Sequence, residues 1–431
     1  MQRTYNIILT GVFIIGLIGL FLIEPTNNTI EGLIAILKHP GVLISDYLRI
    51  GGLIPTLINV WATTFLSVLL FRVLKVKFTG SIIAGILTIA GFAFFGKTPL
   101  NVLPIWLGLF IYAWVNKQPA KNYIVIMLFA TGIAPIVSYL LFGAGFKLIV
   151  AIPVALFAGV VTGFVIPPLS TRAIRFHQGY NLYNIGFTIG LIAAVHAAIL
   201  RTFQFDIQLG GDSEPKFHWI MVGIVVIISV IAIVTAFIMN RKSLSNYRYL
   251  IDSTGILPSD YVDDYGMPAT LLNVGVMGFF SLAVVFLLDV QIHGPLMGGI
   301  LTIMGFGAFG KHPLNSWPVM FGAWLAVILT PITLDVGPTI AIFFVTALAP
   351  IAGRYGFIVG IFAGFLHLIL APFAYILQGG FDLYNNGFTA GFVGIIVAPI
   401  AEAIYPRFKK RNAKEVKTKR RRRLQGRGVK V

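Results

Sequence analysis

FGKTPLN occupies Phe95–Asn101, and FGKHPLN occupies Phe309–Asn315. Each wedges a lysine and a proline between apolar runs. The likeness widens on the N-terminal side: GILTIAGFAFFGKTPLN (85–101) and GILTIMGFGAFGKHPLN (299–315) agree at thirteen of seventeen positions. At the same offset of 214 residues, GVLISDYLRIGG falls on GILPSDYVDDYG. Ser45, Asp46 and Tyr47 thereby match Ser259, Asp260 and Tyr261, and TLINV (Thr56–Val60) matches TLLNV (Thr270–Val274). This alignment runs without a gap from Gly41 to Asn101. A second pair follows at an offset of 201, where NLYNIGFTIG (181–190) falls on DLYNNGFTAG (382–391). The second copy is thus thirteen residues shorter between the two motifs. One unit is written twice along the chain.

The surroundings of the two phrases are membrane-like. Of 431 residues, 57% are hydrophobic and 11% charged, with mean hydropathy +0.90. A soluble domain carries about 25% charged residues. Apolar segments recur at 5–23, 52–71, 79–95, 100–116, 122–143, 146–167, 182–200 and 217–240, then at 266–288, 294–309, 314–332, 336–351, 355–376 and 383–403. The expectation is an all-α polytopic membrane protein of about fourteen segments. The run Tyr5–Ile23 is too long for a signal-peptide core and lacks a small-residue cleavage site, so it reads as a retained first span.

Charge sorts the loops. With the N-terminus cytoplasmic, Arg72/Lys75/Lys77, Lys117/Lys121, Arg172/Arg175, Arg241/Lys242/Arg248, Lys311, Arg354 and the basic tail fall inside. Glu24/Glu31, Asp206/Asp212/Glu214, Asp289 and Asp335 fall outside, together with a few lysines such as Lys38 and Lys97. This follows the positive-inside rule and predicts a multi-pass protein of a bacterial inner membrane with both termini cytoplasmic. Much of the net charge of +17 lies in the tail 406–431, which has no apolar face. It reads as a disordered anchor near anionic lipid, and no aromatic interleaving points to nucleic acid.

Seven crossings separate the second segment from the ninth, and an odd number inverts the second copy. The predicted build is a seven-plus-seven inverted repeat with its site near the bilayer midplane. Its units are a first span and external segment (1–40), the first repeat (41–216), a connecting span and linker (217–254), the second repeat (255–405) and the tail. The segments flanking the first FGKxPLN, 79–95 and 100–116, hold only 17 residues each, or about 25 Å against roughly 30 Å of hydrocarbon. Gly and Pro interrupt them. The phrases are either loops or the tips of re-entrant hairpins, and a re-entrant tip implies a polar cavity.

Lys97 and Lys311 are the only basic residues matched within the core motifs. They read as snorkelling lysines at span ends, or as contacts to an anion or carbonyl beside the helix starts marked by Pro99 and Pro313. Asn101 and Asn315 either cap locally or face the solute. Asn59 and Asn273 sit inside apolar segments, where asparagine also ties helices together. Thr88 and Thr302 can instead bond their own helix backbone. In LYNxGFTxG, Asn184 and Thr188 are one turn apart and share a face, as do Asn385 and Thr389. Asn386 adds a further amide, and Tyr183 and Tyr384 precede, with an interfacial belt as their alternative role. Gly186/Gly190 and Gly387/Gly391 form small-xxx-small patterns that serve close packing equally well. These polar residues are the candidate substrate site. His196 and His367 have no counterpart in the other copy and read as core histidines, while the SDY pair reads as helix caps.

The two motifs together resemble an uncharacterised bacterial family of polytopic membrane proteins, known as a domain of unknown function, over about 41–403. That resemblance implies no activity or ligand. NxGFTxG is similar to the Asn-Gly-rich re-entrant element of urea transporters, with a different order of motifs. The seven-plus-seven count resembles nucleobase and sulfate permeases in architecture, without their sequence motifs.

Cysteine is absent, as are HExxH, Walker A, GxSxG and clustered carboxylates. No catalytic residue, metal or cofactor is expected. The expected function is a transporter or facilitator of a small polar solute, with anionic character the sharper of the open choices, and homo-oligomers are compatible with it. No intramembrane carboxylate is evident, which favours facilitation, or coupling through the solute's own charge, over proton coupling. An integral-membrane enzyme acting on a lipid or small metabolite, or an assembly scaffold, is the alternative.

Overall fold

The computed structural model describes residues 26–211, 213, 215–239 and 245–404. The expected first span at 5–23 and the basic tail lie outside them. Among the described residues every regular element is helical. The principal helices of the first copy are α1 (Leu53–Val73), α2 (Gly80–Phe92), α3 (Pro99–Val115), α4 (Ile124–Ala130), α5 (Leu148–Phe176) and α6 (Asn184–Thr202). A connecting helix, α7 (His218–Met239), leads to α8 (Met267–Leu287), α9 (Gly294–Phe306), α10 (Pro313–Leu329), α11 (Val336–Phe344), α12 (Phe357–Leu377) and α13 (Asn385–Ile404).

Eight described segments are long and apolar enough to cross a membrane, and a ninth is the bent pair Ala120–Ile133 and Pro135–Gly143. Four shorter apolar helices, α2, α3, α9 and α10, flank the FGKxPLN turns. Helix α7 illustrates the sidedness. Val225, Ser229, Ala232 and Ala236 recur at helical spacing and are buried, in part against α8. Ile227, Ile231 and Ile238 point outward, as lipid-facing residues would.

Two expected spans are interrupted by a 3₁₀ turn, and the first of them also bends. After α4 the chain makes a 3₁₀ turn at Thr131–Ile133 and bends by 45° before Pro135. After α11 it makes the equivalent turn at Val345–Leu348 before Pro350. The sequences FATGIAPI (129–136) and FVTALAPI (344–351) match each other. Thr131 Oγ1 donates to Leu128 O (2.9 Å) and Thr346 Oγ1 to Phe343 O (2.7 Å). The proline that follows has no N–H to continue the helix. The break frees carbonyls, and the opposite copy supplies their donors: Leu383 N donates to Gly132 O (3.0 Å) and Leu182 N to Ala347 O (2.9 Å).

Such exchange recurs throughout. Asp46 caps the short helix Tyr47–Gly51 and also accepts from Gly294 N at the start of α9 (3.2 Å). Asp260 caps Tyr261–Tyr265 and accepts from Gly80 N and Ser81 N at the start of α2 (2.9 and 3.2 Å). Tyr47 N donates to Phe94 O, just beyond α2, and Tyr261 N to Ala308 O, just beyond α9. The start of each helix therefore lies beside the end of the other, and α2 and α9 run antiparallel. They touch through glycine: a Cβ on Gly91 would stand 2.9 Å from Gly298 Cα. The SDY residues do cap their helices, as expected, and the bonds across the copies add a role that the expectation lacked.

If Asp260 carries this junction, Asp260→Ala strips the acceptor from Gly80, Ser81 and Val262. The expected loss is about 1–3 kcal/mol, read as a lower thermal-unfolding midpoint of the purified protein. An unchanged midpoint would remove Asp260 from the account.

Candidate functional site

Both FGKxPLN turns lie inside the protein. Helix α2 has 13 residues and so rises about 20 Å, short of the roughly 30 Å of hydrocarbon. Past it, Lys97 N bonds back to Phe92 O (3.1 Å), and past α9 Lys311 N bonds to Phe306 O (3.0 Å). Asn59 Nδ2 on α1 ties down Ala93 O and Lys97 O (2.8 and 2.9 Å). Asn273 Nδ2 on α8 does the same for Gly307 O and Lys311 O (2.7 and 2.8 Å). Asn101 Oδ1 accepts from Thr98 N, and its Nδ2 donates to Gly96 O and Ser138 Oγ (each 2.9 Å). Asn315 holds His312 N and Gly310 O (each 2.9 Å). These four asparagines satisfy backbone that would otherwise be orphaned away from water.

The lysines are fully buried. Lys311 Nζ donates to Tyr183 OH and to Thr346 Oγ1 (2.7 Å), and it sits over the rings of Tyr183 and Phe306 (4.4 and 5.0 Å). Lys97 Nζ lies 4.9 Å from the Phe92 ring centroid and has no hydrogen-bond partner among the described residues. Its charged neighbour is Asp382, also fully buried. Asp382 lies between α12 and α13, at the motif position where the first copy has Asn181, and is a buried carboxylate beside the candidate residues that the sequence expectation does not weigh.

Between the lysines stands a cluster of aromatic rings. Tyr183 and Tyr384 meet at 5.4 Å. Phe306 packs on Tyr183 (4.8 Å) and Phe92 on Tyr384 (4.4 Å). Phe129 joins Phe306 (5.5 Å) and Phe344 joins Phe92 (5.8 Å), so each contact has its counterpart in the other copy. Below the tyrosines the helix starts cross at Gly186 and Gly387, where a Cβ on Gly186 would meet Tyr384 Cβ at 2.8 Å. The small-xxx-small glycines serve that crossing. Tyr183 and Tyr384 are therefore buried at the centre, not in an interfacial belt.

Two cavities flank this cluster. One, of about 390 Å³, is lined by Leu43, Phe95, Thr333, Asp335, Leu383 and Asn385 among others, and Asn386 also borders it. The other, of about 340 Å³, is lined by Leu257, Phe309, Thr171, Leu182, Asn184 and Tyr183 among others. Leu43 matches Leu257, Phe95 matches Phe309, Leu383 matches Leu182 and Asn385 matches Asn184. The cavities are thus equivalent features of the two copies. Their rims belong to opposite ends of α2, since Leu43 lies in the strand of chain before Asp46 and Leu257 in that before Asp260.

The remaining candidates have internal partners. Thr88 and Thr302 bond Ala84 O and Gly298 O (each 2.7 Å) in their own helices. Thr188 and Thr389 bond Asn184 O and Asn385 O (3.0 and 3.2 Å). Asn184 reaches His177 Nε2 (2.9 Å) and Ser170 O (3.1 Å) while bordering the smaller cavity. Asn385 Oδ1 accepts from Asn386 N and Nδ2 (each 2.8 Å). His196 bonds Thr162 and Ile192 O, and His367 bonds Asn386 O (3.1 Å), as core histidines do.

The fold defines a multi-helix protein with helices long and apolar enough to cross a membrane and a buried, doubly represented polar cluster. The chain belongs to the family described as protein of unknown function (DUF1576), which matches residues 25–202 and 239–403. No curated protein matches the chain, and no solved structure does.

The asparagines of α1 and α8 make a direct test. Asn59→Ala or Asn273→Ala should lower the thermal midpoint, each costing about 1–3 kcal/mol because two buried carbonyls lose their donor. A midpoint unchanged in both variants would free these residues for a role other than holding the turns.

Proposed function

We propose that this chain is a membrane transporter or facilitator of a small polar solute, with anionic character the favoured class. Its frame is a fourteen-segment, seven-plus-seven inverted repeat in a bacterial inner membrane, with both termini cytoplasmic. The antiparallel α2/α9 pair and the exchanged caps support the inversion. The observation that carries the reading is the pair of matched cavities separated by an aromatic cluster with a buried lysine on either side.

Alternating access needs two vestibules, a closure between them and a site that both can reach. Matched cavities of similar size supply the vestibules, and the rings packed edge-on and tilted between them supply the closure. A buried ammonium is costly alone and attracts an anion strongly in a dry site. Lys311 keeps two hydroxyl partners that a solute oxygen could replace. Pro99 and Pro313 start α3 and α10 just beyond the lysines, so helix N-termini add to the favourable potential.

Screening sodium salts of small anions against the purified protein for thermal stabilisation tests the reading. One or more should stabilise it, and Lys311→Met should weaken that effect by about 1–3 kcal/mol in binding, roughly 5- to 150-fold. Lys311→Arg should rescue only in part, since a planar fork does not replace a point charge. Stabilisation by neutral solutes alone, indifferent to Lys311→Met, would contradict an anion site.

A further inference from the structure

The two copies differ at one charged position in the heart of the site. In the first copy Asn181 Oδ1 accepts from Tyr183 N (2.9 Å), and its Nδ2 donates to Gly387 O (2.8 Å). In the second copy Asp382 Oδ1 accepts from Tyr384 N (2.8 Å). Its Oδ2 has no hydrogen-bond partner among the described residues. An asparagine thus performs the structural task completely, and the aspartate performs it with one oxygen left over. Holding the turn does not call for a carboxylate.

The lysines differ in step. Lys311, in the copy opposite the neutral Asn181, is held by Tyr183 and Thr346. Lys97, in the copy opposite Asp382, makes no such bond, and no direct ion pair closes between it and the carboxylate. Two fully buried ionisable groups therefore share one neighbourhood, since a Cβ on Gly96, beside Lys97, would stand 2.6 Å from Leu383 Cδ2, beside Asp382, and each carries an atom with no hydrogen-bond partner among the described residues. A purely structural pair would close that gap, because a charge without hydrogen bonds at low dielectric is costly. The Phe95 and Leu383 side chains, each close in sequence to one member of the pair, line the larger cavity, as does the exposed Asp335.

We infer that Lys97 and Asp382 are an exchangeable pair that couples proton uptake to the passage of an anion. The inference rests on the anion reading of the same site. In the empty protein the ammonium and the carboxylate balance each other. An arriving anion takes Lys97 as its partner, and Lys97 keeps its proton. Asp382, relieved of its cation, takes one proton from the cavity. On release of the anion, that proton leaves Asp382 and the original pair is restored. The site is neutral both empty and loaded, which is the condition for either state to pass through an apolar closure without a large charging cost. One proton accompanies each univalent anion.

Infrared difference spectroscopy of the full-length protein in lipid tests the proton site without an identified solute. As pH falls from about 9 to about 5, wild type should gain reversibly the C=O stretch of a protonated carboxylic acid. Asp382→Asn should remove that band. Lys97→Met should carry it at least about one pH unit further into the alkaline range, because the carboxylate loses its nearby cation. The double variant K97M/D382N leaves no lone buried charge and serves where either single variant fails to fold; it too should lack the band. A spectrum with no band sensitive to Asp382, or a band whose pH dependence ignores Lys97, overturns the inference. Either result leaves the anion reading standing on its own stabilisation assay.

Discussion

Backbone carbonyls released by helix breaks must find donors within the protein wherever water is absent, and the rest of this structure depends on that constraint. Four breaks create the problem: two FGKxPLN turns and two FxTxxAP turns. Asn59 and Asn273 solve the first pair from within their own copy. Leu182 N and Leu383 N solve the second pair from the opposite copy. The second solution binds the copies together at the level where the tyrosines meet. Irregular backbone, the polar site and the junction of the copies are therefore one feature.

Much of this was legible in the sequence. The matched phrases located the breaks, since only a shared structural demand writes Gly, Lys and Pro into apolar runs twice at one offset. Segment positions followed from apolar length, and the SDY caps from residue type. The 4-residue spacing of Asn and Thr in LYNxGFTxG was read as a solute face, yet the threonine hydroxyls turn back onto their own helix backbone. FATGIAPI and FVTALAPI repeat too, and Thr and Pro at that spacing signal a broken helix. Their match is weaker than that of FGKxPLN, and the surrounding apolar runs read as unbroken spans.

The partners across the copies were not legible. No local pattern states that Asp46 would accept from Gly294, or that Lys311 would reach Tyr183. Such contacts depend on how the two copies dock, which the offset alone leaves open. Asp382 stands in the alignment as one of three mismatches, opposite Asn181. Its weight comes from total burial and from the orphaned oxygen, and both are properties of packing. The near-symmetry of the frame makes this difference informative, because the backbone contact made by Asp382 is made equally well by Asn181 in the other copy.

The central claim is that the two matched cavities open on opposite sides of one membrane. The chain contains no cysteine, so single-cysteine variants report without a background. Thr333 and Thr171 are exposed residues on the rims of the larger and the smaller cavity. Thr333→Cys and Thr171→Cys would be treated with a membrane-impermeant thiol reagent in sealed right-side-out and inside-out vesicles. The account predicts that each variant reacts in one orientation only and that the two orientations differ. Reaction of both variants from the same side would contradict it.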